Sequence, residues 1–286
     1  MSIAPDQAEP GALADELWEA AADLEDEGSL VAAAELYRQA VSAYDSVGEE
    51  STARRLDLHV ADLLVSIGDA AGAGEVFDRV LSWADREGDR LVTASVWVSQ
   101  GGLVVDRALE LVGDALQIDR GLLDQAAELV DRAVSVFEAS PGESVQLHAR
   151  ARVLAAEIAS LSGRYDAAVE HLDRALSCAL SDPGHREGHD ELAEEIVLDL
   201  VDASRAAGQD DHAEQVLRDA RRRALRDWDE EGVWLWTLQL GQHLAAVGDT
   251  SGARQWLERL RDQLEIAGDQ DYLPEVREVL AGLPSA

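Results

Sequence analysis

The chain has 286 residues, with 58 Asp and Glu against 24 basic residues, a formal net charge of −34; every basic residue is Arg, and neither Lys nor Asn occurs. An acidic excess of that size repels nucleic-acid phosphates and anionic lipid headgroups, which excludes both as direct ligands, and it suits high solubility, a saline interior or a basic partner. Hydrophobic residues make up 47% and are mostly Ala, Leu and Val, with two Phe, four Tyr and six Pro, which favours helices over sheets and argues against wholesale disorder.

The first ten residues, "MSIAPDQAEP", read as a disordered N-terminus, and residues 11–286 as one domain without a dividing linker. No basic start leads into an apolar core, and no apolar run approaches a membrane span. The single cysteine, Cys178, cannot form an internal disulfide and fits a reducing compartment. A cytoplasmic location is the expectation.

From there one skeleton returns six times. Its glycines are Gly28, Gly68, Gly121, Gly163, Gly208 and Gly248. Five residues on stand Ala33, Ala73, Ala126, Ala168, Ala213 and Ala253. Nine on stand Tyr37, Phe77, Val130, Leu172, Leu217 and Leu257, and twelve on Ala40, Val80, Ala133, Ala175, Ala220 and Leu260. Offsets that differ by four and three put these side chains on one face of a helix starting just after the glycine. Small residues at the ends of that stripe let a second helix approach closely. Seven residues before each glycine stand Ala21, Ala61, Asp114, Ala156, Val201 and Gly241, which marks a preceding partner helix. The third repeat breaks this position with Asp114. Each unit is therefore a helix–turn–helix hairpin that buries its face only against its neighbours.

Two stretches interrupt the rhythm. The third unit carries extra residues, "DRLVTASVWVSQGGLVVDRALELVGDA", in which Gly101–Gly102 are expected to break or kink a long helix. Residues 180–191, "LSDPGHREGHDE", join the fourth and fifth units as a loop, and "YLPEVREVLAG" reads as a closing helix.

The segments "GSLVAAAELYRQA", "GRYDAAVEHLDRA" and "GQDDHAEQVLRDA" resemble the turn and second helix of the tetratricopeptide repeat family over roughly residues 11–270. The glycines lie 40, 53, 42, 45 and 40 residues apart, against a usual period of about 34, so the resemblance is to a long-repeat variant. HEAT and armadillo repeats, with periods of about 40–47, are the rival fold. The fold class implied is all-α, an α-solenoid of about six hairpins with a C-terminal cap.

Chemistry is thinly represented. His185 and His189 precede a run of carboxylates, but Gly184 and Gly188 frame them as a turn and the spacing is not His-Glu-x-x-His, so a solvated loop is expected and no metal. Arg218, Arg221, Arg222, Arg223 and Arg226 form a dense basic cluster, read as internal ion pairing with the surrounding acids. Trp228, Trp234 and Trp236 read as packing between repeats rather than as a binding platform. No nucleophile motif or phosphate-binding loop occurs. A non-catalytic protein without a cofactor is expected.

In the resembled family the first helix of each repeat lines a hollow face that holds a peptide or a partner's helix. Carried over by counting back from each glycine, that face holds Asp15, Trp18 and Glu25 in the first unit and Arg55, Leu58 and Asp62 in the second. It holds Arg150 and Glu157 in the fourth and Asp202 and Arg205 in the fifth. Acids outnumber arginines along the whole face, so the expected guest is a basic or amphipathic segment of another protein. The family's carboxylate clamp of Lys, Arg and Asn is disfavoured because Lys and Asn do not occur. The leading expectation is an interaction scaffold or adaptor. A peptide- or effector-sensing regulator and an acidic decoy of a nucleic-acid-binding protein are the alternatives.

Overall fold

The computed structural model describes residues 10–112, 115–140, 142, 144–181 and 191–284. The described N-terminal half runs α1 (Pro10–Asp26), α2 (Leu30–Ser46), α3 (Glu50–Ser66), α4 (Ala70–Glu87) and α5 (Arg90–Ala108). A two-stranded hairpin follows, β1 (Leu109–Val112) and β2 (Ala115–Ile118), and then α6 (Arg120–Ala139) and α7 (Val145–Leu161). The remainder is α8 (Tyr165–Ala179), α9 (Glu191–Ala206), α10 (Asp210–Asp227), α11 (Glu230–Ala246), α12 (Thr250–Ala267) and α13 (Leu273–Gly282). The fold is an all-α array of helix–turn–helix repeats, an α-solenoid, with one small β-hairpin inserted. It divides into two compact units, Met1–Ile158 and Ala159–Ala286. Pro10 already opens α1; the other nine residues expected to be disordered lie outside the described ones.

Glycine sets the corners. Gly28, Gly68, Gly163, Gly208 and Gly248 all have φ between 72° and 90°, the left-handed region that ends a helix without a Cβ clash. A second set lies outside the sequence pattern. Gly48, Gly88 and Gly268 take the same conformation at the junctions between repeats. Corners therefore recur at an even interval, at positions 28, 48, 68 and 88 and again at 208, 228, 248 and 268, where position 228 is a Trp with φ 59°. An Asp commonly follows the corner and caps the next helix. Asp69, Asp229 and Asp249 each accept a 2.9 Å bond from the backbone N–H three residues on.

The helical faces pack as their spacing requires. The six alanines five residues after the glycines are all fully buried, and so, to within 3%, are the residues nine and twelve on. Third-repeat expectations need correcting. Gly121 is not a corner: it sits in the first turn of α6 and donates 2.8 Å to Asp119 Oδ1. The corner is replaced by the antiparallel β1–β2 pair, in register Leu109↔Ile118 through Val112↔Ala115, which accounts for the long 53-residue interval. Nor do Gly101–Gly102 break a helix, since α5 runs through both. Gly101 is buried, and a Cβ on it would stand 2.8 Å from Val130 Cγ2 of α6. Gly241 makes the matching approach to Leu257, at 2.5 Å. Gly101 thus holds in repeat three the small first-helix place that Ala61 holds in repeat two. Asp114, to which the spacing assigned that place, lies outside the described residues.

One buried ionic cluster ties three helices of the first unit. Asp57 of α3 is fully buried and accepts 2.6 Å bonds from Arg54 Nη1 and from Arg79 Nη2 of α4. Arg54, itself 7% exposed, also pairs with Asp45 of α2. In the second unit α13 closes the array by setting Leu273 and Val276 against Leu257, Leu260 and Leu264 of α12.

Candidate partner-binding site

In the first unit the first helices of repeats two and three, α3 and α5, and the opening turns of α7 surround a cavity of about 620 Å3. Helical periodicity explains which residues reach it. Arg55, Leu58, His59 and Asp62 occupy one stripe of α3, while Leu91, Val92, Ser95, Val98 and Ser99 do so on α5. Leu147 and Arg150 come from α7 and Phe137 from α6. An apolar floor thus carries a few convergent charged groups, the composition expected of a binding pocket. An adjoining hollow of about 290 Å3 shares Asp62 and Ser99 and adds Leu154 and Glu157.

Asp62 is the electrostatic centre. Its side chain opens to solvent through the cavity, yet protein surrounds it. That desolvation raises its pKa above 3.8, against the opposing hydrogen bond with Ser99 and the charges of His59 and Arg150. His59 is held from behind, its Nε2 2.7 Å from Glu25 Oε2. Glu25 also accepts 3.0 Å from Tyr37 Oη, and burial with this partner pushes the Tyr37 hydroxyl up to about 12. Glu25 therefore meets the cavity through His59. Asp15 accepts 2.6 Å from Tyr44 Oη, and there too burial with the carboxylate pushes the phenol up to about 12. Trp18 of α1 is 51% exposed and lines neither hollow.

Of the ten residues carried over from the family, Arg55, Leu58, Asp62 and Arg150 converge on one cavity and Glu157 on its neighbour. Asp202 and Arg205 belong to the second unit, where Arg205 pairs with Asp202 at 3.3 Å and donates 3.1 Å to Nδ1 of the buried His243. The wall contributed by α5 is the part that sequence reasoning missed. Ser95, Val98 and Ser99 stand in repeat three where Arg55, Leu58 and His59 stand in repeat two. Counting back from Gly121 loses this frame because the β-hairpin intervenes.

The other clusters sort out simply. Arg218 pairs with Glu214 at 2.7 Å and Arg222 with Asp219. Arg221 instead donates 2.8 Å to Thr237 Oγ1 and lies 4.8 Å from the Trp256 ring centroid. Trp236 is buried and Trp234 packs against the α12–α13 core, but Trp228 is 91% exposed and packs between no repeats. His185 and His189 lie outside the described residues. Among the described residues no group of three His, Cys, Asp or Glu is placed to hold a metal, and no helix is long and apolar enough to cross a membrane.

With this geometry in place, the family model for the tetratricopeptide repeat matches residues 104–181. That segment, from the end of α5 to the end of α8, is the part of the chain that carries the tetratricopeptide signature. A solved Rap protein, complexed with Competence and Sporulation Factor, shares 12% identity with this chain at a TM-score of 0.59, covering 97% of this chain and 76% of that one. BtubC from P. vanneervenii shares 17% at 0.55, over 91% and 92%. PilW, described as a type IV pilus biogenesis factor, shares 15% at 0.50, over 92% and 97%. At these identities the likeness is one of fold. No curated protein sequence matches the chain.

Proposed function

We propose that this tetratricopeptide array is a non-catalytic interaction scaffold that holds a segment of a partner protein in the cavity between α3, α5 and α7. The observation that carries the reading is the convergence of Arg55, Leu58, Asp62 and Arg150 on one apolar-floored hollow. The guest is amphipathic. Its apolar side chains lie on Leu58, Val98 and Leu147, a cationic side chain meets Asp62, and an anionic group meets Arg55. The chain's net charge of −34 draws a basic segment in over longer distances. The Rap neighbour, solved with Competence and Sporulation Factor, provides a precedent for an array of this fold with a bound guest.

A photo-crosslinking amino acid at Leu58 tests the reading in the organism that makes the protein. Discrete adducts with another protein are expected, falling at least tenfold when Asp62→Arg is added to a correctly folded chain. Adduct yields unchanged by Asp62→Arg, or no protein adduct at all, would remove the cavity as the binding site.

A further inference from the structure

A second hollow, of about 530 Å3, lies in the C-terminal unit, between the α10–α11 corner and the end of α12. Leu225, Trp228, Trp234 and Ile266 contribute its apolar surface, and the charged residues lining it are Asp229 and Glu230. Three of those apolar side chains face water: Trp228 is 91% exposed, Ile266 89% and Leu225 49%. Scattered exposed apolar residues need no explanation, but a concave group of them marks a contact surface. The backbone adds a second reason. Trp228 has φ 59° at a corner where Gly48, Gly88 and Gly268 stand in the sister junctions. A bulky side chain there strains the backbone while gaining no packing of its own, a pattern characteristic of functional positions.

We propose that this hollow docks a segment of a partner protein that presents an apolar side chain between flanking Arg or Lys residues. The apolar walls take the anchor, and the carboxylates of Asp229 and Glu230 set the sign of the flanks. A second copy of this chain is the wrong occupant on charge, because self-association would bring together two molecules each carrying −34. This surface is formed by different helices from the α3–α5–α7 cavity, and it stands or falls independently of that reading.

The test uses the full-length chain and a displayed library of random twelve-residue peptides, first depleted on the Trp228→Gly variant. That variant restores the residue type of the sister corners, so it keeps the fold, and depletion removes peptides that bind elsewhere. Selection on the wild-type chain should enrich sequences with a large apolar residue flanked by Arg or Lys. Their affinity should drop at least tenfold with Trp228→Gly and with Ile266→Asp, and stay within twofold with Asp62→Arg. The proposal is overturned by no enrichment, by enrichment of acidic or uncharged sequences, or by equal affinity for Trp228→Gly and Ile266→Asp. Sedimentation showing a wild-type dimer that Ile266→Asp dissolves would overturn it in favour of the second copy.

Discussion

Replacing Asp57 by Ala should destabilise the first unit by about 3 kcal/mol, near the lower end of the 3–5 kcal/mol typical when one partner of a buried ion pair is removed. Asp57 is fully buried and engages two guanidinium groups, Arg54 and Arg79. Their fates after its loss differ. The Arg79 side chain is 47% exposed and rehydrates at little cost. Arg54, with its side chain 8% exposed, is left to Asp45 alone, and that remaining pair keeps the loss from reaching the top of the range. Urea unfolding followed by helical circular dichroism measures the total, while amide hydrogen exchange shows where it falls. Protection should drop across α2, α3 and α4 and hold in α10 to α12, because repeats communicate mainly with their neighbours. A double variant, Arg54→Met with Asp57→Leu, should cost less than Asp57→Ala alone, since it strands no buried charge. A loss for Asp57→Ala no larger than about 0.5 kcal/mol, the range of an ordinary surface substitution, would refute the ionic account of this cluster. A double variant less stable than Asp57→Ala would refute it as well.

Glycines in helices give a paired test. Gly74→Ala, where a Cβ meets nothing within 4 Å, should gain about 1 kcal/mol from helix propensity. Gly241→Ala places a Cβ 2.5 Å from the buried Leu257, and should lose about 1 kcal/mol once overpacking is set against the same propensity gain; thermal melts of the two variants should move in opposite directions. Trp228→Gly should raise stability by about 1 kcal/mol by relieving the left-handed backbone, read by the same melts. Asp62→Asn should stabilise the fold at neutral pH while weakening the guest. Burial raises the folded pKa above 3.8, so the carboxyl is neutral and costs nothing below that value, and the penalty enters as pH rises through the folded pKa. The two proteins should therefore melt together at pH 3 and diverge by pH 7; the opposite order would show that Asp62 is stabilised, not strained, by its surroundings.

Much of the fold is legible in the sequence because close helix packing leaves few choices. Ala33, Ala73, Ala126, Ala168, Ala213 and Ala253 recur where only a small side chain fits, and all are fully buried. The corners at Gly48, Gly88 and Gly268 are equally visible as letters, but none repeats the full skeleton: Gly48 has Ala53 five residues on but Asp57 nine on, and Thr93 and Leu273 stand five after Gly88 and Gly268. The β-hairpin hides inside "LELVGDALQI", whose Leu, Val and Ala serve a helix as readily as a strand. That ambiguity displaces the frame of repeat three, moves its small residue from Gly101 to Asp114 and conceals the α5 wall of the cavity. Trp228 misleads for another reason. Sequence spacing suggests a helical face, whereas its exposure follows from a left-handed φ that composition does not announce.

The hairpin at β1–β2 has a consequence for how such a chain changes over time. It sits at the corner inside a repeat, and α5 and α6 still nest, with Gly101 close against Val130. An extra ornament there is tolerated because a corner faces water and carries none of the interlocking alanines. The left-handed glycine corners elsewhere are exposed as well, so new loops or whole modules could be grafted onto this framework one elbow at a time, leaving the helices to hold their places.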